Sequence, residues 1–185
     1  MTIGATPAGS LPAGADLVVR SIRPDDAPAL HAFHQRLSPD TVRRRFFAVH
    51  PDLTDAEARR FTAVGSGREA AQEVALVATV DELIVGVGRY VRIHMGEVAE
   101  VAFVVEDRYQ GRGIATELLS LLARIAWDDG IRRFVADTFA DNHAMLAVFG
   151  RTPRAVVIQT TRRDGSVVHL TMALAPPHSD LTLVG

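Results

Sequence analysis

The residue types best suited to chemistry fall in one stretch, Glu106-Asp-Arg-Tyr-Gln110-Gly-Arg-Gly113-Ile-Ala115-Thr116. It follows the β-branched run Val101-Ala-Phe-Val-Val105 and leads into Glu117–Trp127, whose apolar residues recur at helical spacing. A strand therefore feeds a glycine-rich turn that opens a helix. Such a turn aims backbone N–H groups and the positive end of a helix dipole at one point, which is an anion site. Gly111 and Gly113 allow close approach of the anion, and Arg108 and Arg112 add positive charge beside it. Two phosphate-binding patterns do not fit. There is no Gly-Lys for a P-loop, and the third glycine of G-x-G-x-x-G is missing, with Thr116 in its place. What remains is Gln-x-x-Gly-x-Ala at Gln110, Gly113 and Ala115.

The elements that must position this turn can be read along the chain. Residues 1–15, rich in Gly, Ala, Pro and Ser, form a disordered tail. Leu17–Ile22 reads as a strand, and Pro24-Asp-Asp26 opens a helix to about Leu37. Ser38-Pro39 is an N-cap followed by Pro at the first helical position, giving a second helix over about 39–47. Thr54-Asp-Ala-Glu57 is a capping box opening a third, to about Val64. Val74–Val80, Leu83–Arg92 and Glu97–Val105 read as strands, Ala115 to about Asp128 as a helix, Arg133–Thr138 as a strand and Asn142–Phe149 as a short helix. Val156–Arg162 and Val167–Leu174 form a hairpin around Arg163-Asp-Gly165. The resulting reading is an α/β domain over residues 16–175, with a loose tail at 176–185.

Composition narrows the function classes. The 185 residues fit one domain with a sizeable core. The 20 cations, all arginine, face 22 acidic residues for a net charge of −2, which gives no footprint for nucleic acid. Without lysine, the chain has no internal lysine to acetylate. Without cysteine, disulfides, thiolate metal sites and thiol nucleophiles are excluded. The seven histidines show no metal-ligand spacing, and His31 and His34, at i,i+3, read as surface or capping residues. No G-x-S-x-G elbow is present. No apolar run would span a membrane and no secretory signal begins the chain, so the expected location is cytoplasmic.

The Gln110–Ala115 pattern resembles the pyrophosphate-binding signature of the GCN5-related N-acetyltransferases (GNAT), Q/R-x-x-G-x-G/A. The order of elements is similar to that of the GNAT fold, a mixed, mostly antiparallel sheet flanked by helices and splayed between strands 4 and 5, here Glu97–Val105 and Arg133–Thr138. The blocks Leu37–Phe47, Val74–Ala78, Gly86–Tyr90 and Ala99–Glu106 resemble one subgroup, the bacterial protein lysine acetyltransferases that modify acyl-CoA synthetases. The catalytic module of that subgroup is often fused to a regulatory domain, for which these residues leave no room.

The resemblance implies acetyl-CoA as co-substrate, no metal, and a protein or small-amine acceptor, with the protein a monomer or homodimer. A lysine amine, with a pKa of ~10.4, must lose a proton before it attacks the thioester. Glu100, ten residues before Gln110, resembles the catalytic glutamate of histone-type members in spacing. Strand alternation puts it on one face with Ala102, Val104 and Glu106. Partial withdrawal from water among small apolar neighbours would give it the basicity a general base needs. Glu97 and Glu106 are weaker candidates, and Glu106, at the turn, reads as structural or solvated. Phe103, Val104 and Val105 are expected to bind pantetheine through backbone groups at the splay, and Gln110, Gly111, Arg112, Gly113, Ile114, Ala115 and Thr116 to hold the pyrophosphate. Asn142 is expected either to contact CoA or to serve as a plain N-cap. Phe149 stands where many members have a proton-donating tyrosine, and packs on cofactor or core. The run Arg43-Arg-Arg45 reads as a solvated helix face, or as a guide for an acidic surface or the CoA 3′-phosphate. The alternative readings are a small-amine acetyltransferase and a non-catalytic acyl-CoA sensor.

Overall fold

Eight strands form a single sheet in the order β1-β2-β3-β4-β5-β6-β8-β7. This computed structural model describes residues 3–4, 16–47, 52–63, 72–150 and 156–176. The strands are Ile3–Gly4 (β1), Leu17–Ser21 (β2), Glu73–Val80 (β3), Leu83–Arg92 (β4), Val98–Val105 (β5), Arg133–Phe139 (β6), Val156–Asp164 (β7) and Val167–Leu174 (β8). The helices are Ala27–Gln35 (α1), Pro39–Phe46 (α2), Asp55–Thr62 (α3), Ile114–Asp128 (α4) and His143–Gly150 (α5). The expected strands and helices are all present. The short β1, which pairs with Val18 and Val19, lies inside the segment read as a disordered tail. The predicted helix end at Val64 and most of the C-terminal tail lie outside the described residues.

Local chemistry accounts for the ends of these elements. The Ser38 hydroxyl accepts from the Thr41 N–H at 3.2 Å, capping α2. Thr54 and Glu57 close a reciprocal capping box on α3. A 3₁₀ turn at Pro24–Asp26 precedes α1, which stops two residues before Leu37. No helix among the described residues is long and apolar enough to cross a membrane.

Over β2–β5 the sheet buries both faces, and this decides what lies beside the site. On one face α4 sets Ile114, Leu118, Leu119 and Leu122 against Val101, Phe103, Val105 and Tyr90. Glycine makes that approach possible. A Cβ at Gly88 would lie 2.9 Å from Phe103 and 3.2 Å from Leu118, and one at Gly86 would lie 3.0 Å from Ile114. On the other face α1–α3 and the turns that join them cover Ala75, Val77 and Ile84 with Leu30, Phe33, Leu37, Val42 and Leu53.

Neighbouring strands are antiparallel except β5 and β6, whose parallel ladder holds only Val98↔Arg133, Ala99↔Phe134 and Glu100↔Val135. Beyond Glu100 the two strands part, while β5 continues to pair with β4 as far as Val105↔Gly86. This is the expected splay; counting β1, it falls between the fifth and sixth strands.

Candidate active site

Glu100 is the last residue of β5 paired to β6, so its carboxylate stands where the sheet opens. The backbone direction beyond it follows from one bond. The Glu106 N–H donates to the Val85 carbonyl at 2.9 Å, toward β4. The β4–β5 register runs without a shift. Antiparallel alternation then turns the N–H and C=O groups of Val101, Phe103 and Val105 into the gap, and those of Ala102 and Val104 toward β4. Phe103 and Val105, expected at the splay, turn their backbone groups toward the gap. Val104 does not offer its backbone to the gap; its side chain lines a cavity on the helical face instead. Val101 takes its place, which side-chain pattern alone does not reveal. The Val105 carbonyl already accepts from Gln110 Nε2 at 3.0 Å.

The glycine turn continues from this gap. A 3₁₀ turn at Asp107–Tyr109 leads to Gly111 at φ 73° and Gly113 at φ 80°, both left-handed. A Cβ at Gly111 would meet no atom within 4 Å, so conformation rather than space calls for glycine there. Gly113 is the N-cap of α4 and supplies no side-chain acceptor. The first N–H groups of the helix, from Ile114, Ala115 and Thr116, thus have no intrahelical acceptor and carry the positive end of the dipole. Arg108 and Arg112 both lie over the Tyr109 ring, at 5.0 and 5.6 Å.

Polar contacts that the sequence reading did not anticipate bind this turn to α2 and its approach. Asp107 accepts from the Ser38 N–H (3.0 Å), the Ser38 hydroxyl (2.6 Å) and the Thr41 hydroxyl (2.8 Å). Burial works to raise the Asp107 carboxyl, but these hydrogen bonds outweigh it and hold the group below its ordinary range. Gln110 Nε2 also donates to the Thr41 hydroxyl at 3.2 Å. Glu106 is buried, accepts from Arg36 Nε at 2.9 Å and pairs with Arg108, while Arg36 donates to the Ile84 carbonyl at 2.7 Å. The structural reading of Glu106 therefore holds. The Ser38-Pro39 cap was legible in sequence, but its second partner, 69 residues away, was not.

On the α1–α3 face, Glu100, Ala102 and Val104 line a cavity of about 780 Å3 whose apolar wall includes Phe33, Phe46, Phe61 and Val87. Glu100 itself is exposed at its edge, so the withdrawal from water expected for it is not seen. A desolvated charge beside it is Arg45. Burial lowers its guanidinium from the ordinary value and the negative charge of Glu100 partly opposes that. The run Arg43–Arg45 thus divides into separate roles. Arg43 lies over Phe139 at 4.7 Å, and Arg44 pairs with Asp40 (2.6 Å) and Asp141 (3.3 Å), fixing α2 across to the end of β6. Arg45 turns into the cavity.

Other predicted residues fall as follows. Asn142 accepts from the Met145 N–H at 3.2 Å, an N-cap bond on α5. Phe149 is buried edge-on to Phe103, ring centroids 6.3 Å apart, in the α4 core. His31 pairs with Asp55 at 2.7 Å, as a surface role implies, but His34 is buried in the cavity wall. Among the described residues no cluster of His, Asp and Glu is placed to hold a metal.

This geometry has counterparts in known proteins. A family model described as an acetyltransferase (GNAT) domain matches residues 16–152. The crystal structure of the GNAT domain of S. lividans PAT superposes with a TM-score of 0.76 at 34% identity, covering 90% of this chain and 96% of that one. An acetyltransferase of Pseudomonas aeruginosa is 29% identical over 140 residues, 74% of this chain and 73% of its own. The acetyltransferase Pat of Mycolicibacterium smegmatis is 42% identical over 69 residues, but those are 37% of this chain and only 21% of that longer protein. At 16% identity the fold alone is shared with a Salmonella typhimurium acetyltransferase solved with acetyl-CoA (TM-score 0.66, covering 89% of this chain and 96% of that one). With a splayed β5–β6 pair running into a Gln-x-x-Gly-x-Ala turn at the head of α4, and with these relatives, the chain belongs to the GNAT acetyltransferase family.

Proposed function

We propose that the protein transfers acetyl from acetyl-CoA to an amine, a protein lysine such as one of an acyl-CoA synthetase, with Glu100 as general base. The observation that carries this reading is the position of Glu100 at the point where β5 and β6 separate, beside the gap-facing backbone of Val101, Phe103 and Val105. In this account the α4 N-terminus and the Gly111–Thr116 backbone hold the pyrophosphate, and the pantetheine arm runs along the gap. A Phe103 backbone group faces the thioester carbonyl and stabilises its developing charge. The amine nitrogen bonds to the carbonyl carbon as its proton passes to Glu100. The carbon–sulfur bond then breaks and CoA leaves as a thiolate. Phe149 cannot donate a proton, so the thiolate leaves unaided or takes a proton from water.

The cavity lining bears on the acceptor. A polyamine calls for an acidic pocket, whereas this cavity sets Arg45, Arg60 and Arg89 against Glu73 and Glu100. The lining therefore supports a protein acceptor, or an amine that is not a simple cation. The test is mass spectrometry of an acyl-CoA synthetase incubated with acetyl-CoA and the protein. One lysine gaining an acetyl group is the expected result. Acetyl-CoA binding without acetylation of any lysine would move the acceptor to a small amine or leave a sensor.

A further inference from the structure

The charge in the acceptor cavity is more than a general base requires. Of its three arginines, Arg89 contacts the Glu73 carboxylate and lies 4.9 Å over the Phe61 ring. Arg45 and Arg60 have no ion-pair partner among the described residues, and Arg45 lies only over Phe46, at 5.0 Å. Burial pushes Arg89 down to about 10, and the like charges of Arg45 and Arg60 push the same way, so the three guanidinium groups crowd one another. Arg45 and Arg89 are withdrawn from water, with the exposed Arg60 beside them, and only Arg89 touches a carboxylate, so a ligand that brings a further anion offsets the cost of holding these charges together. The cavity, about 780 Å3, is within the range of sites that enclose a whole small ligand and exceeds what one lysine stem fills.

Resting on the acetyltransferase reading above, we propose that the acceptor carries a carboxylate beside its reactive amine. Arg45 and Arg60 bind that anion in the cavity while Glu100, on the same wall, takes the proton of the amine. Guanidinium groups suit this partner because they grip planar oxyanions through two parallel hydrogen bonds. The carboxylate comes either from an acidic side chain next to the target lysine of a protein or from a free amino acid.

Two matched acceptor sets separate these sources, with CoA release measured at saturating acetyl-CoA. The first is lysine peptides differing only in flanking Glu, Gln or Lys; the second is free amino acids against their amides. In one set the anionic member is expected to exceed its neutral match in kcat/KM by about tenfold or more, the worth of a hydrogen bond to charge. That set identifies the source. Arg45→Gln and Arg60→Gln should each shrink the ratio toward one, and Arg45→Lys should recover part of it. Turnover of both sets at equal kcat/KM would overturn the anion site and leave the acetyltransferase reading standing. Absence of turnover with every member would remove that reading and the anion site with it.

Discussion

The glutamates at the two ends of β5 have opposite surroundings although strand alternation puts them on one face. Glu106 is 4% exposed and locked between Arg36 and Arg108, so its charge is committed to holding the turn. Glu100 is exposed beside a desolvated Arg45 and a cavity, where the proposed base role would have it meet a substrate proton. Buried ion pairs of the first kind govern acid stability. Asp26 accepts from both Arg20 nitrogens and from the Arg23 N–H, each at 2.7 Å. The Arg20 hydrogen bond outweighs burial and holds its carboxyl below the ordinary range. A carboxyl depressed by folding contributes stability above its unfolded value, ~3.9, and loses it as pH falls through the folded value. Asp26→Asn should therefore cost about 2 kcal/mol at pH 7, with the deficit closing toward pH 3. Urea midpoints at the two pH values check this, and an equal deficit at both would contradict it.

At the scale of elements, the turn after β5 and helix α2 act as one unit. Asp107 accepts three hydrogen bonds from Ser38 and Thr41, and Gln110 donates a fourth to the Thr41 hydroxyl. Asp107→Ala should lower stability by about 1 kcal/mol and weaken acetyl-CoA binding severalfold, because the turn loses its brace. Chemical denaturation with calorimetric titration would show it, and unchanged affinity would mean the turn holds its shape alone. Gly113→Val forces a branched side chain to φ 80°, costing about 1–2 kcal/mol, and should abolish acetyl-CoA binding with the circular dichroism of the fold retained. Full affinity in that variant would place the pyrophosphate elsewhere. The glycine turn, the caps at Ser38 and Thr54 and every long strand were legible because each rests on short-range chemistry. The Ser38–Asp107 bond, the turn of Arg45 into the cavity and the inward burial of His34 were not, since each depends on which face a helix presents to a distant strand. Val104 was misplaced for a related reason. Its sequence position was right, but the direction of its backbone follows from the β4–β5 register.

At the scale of the whole molecule, the sheet is covered on both faces over β2–β5 and opens along one seam between β5 and β6. Two cores hold the seam from opposite sides, α4 with its close approach over Gly86 and Gly88, and α1–α3 over Val77 and Ile84. α2 touches both β5 and β6 and so spans the opening. The glycine turn lies at one end of the seam and Glu100 at the other, and in the proposed account a co-substrate threaded through the gap would bring its thioester to the cavity beside Glu100. The most direct test is the pair of acetyl-CoA affinity and kcat for Glu100→Gln, measured from pH 7 to high pH with an acetylated acceptor. The account predicts unchanged affinity and a kcat lower by at least about tenfold at pH 7, recovering in part as the amine deprotonates unaided. A kcat near that of the wild type at both ends of the range would contradict it.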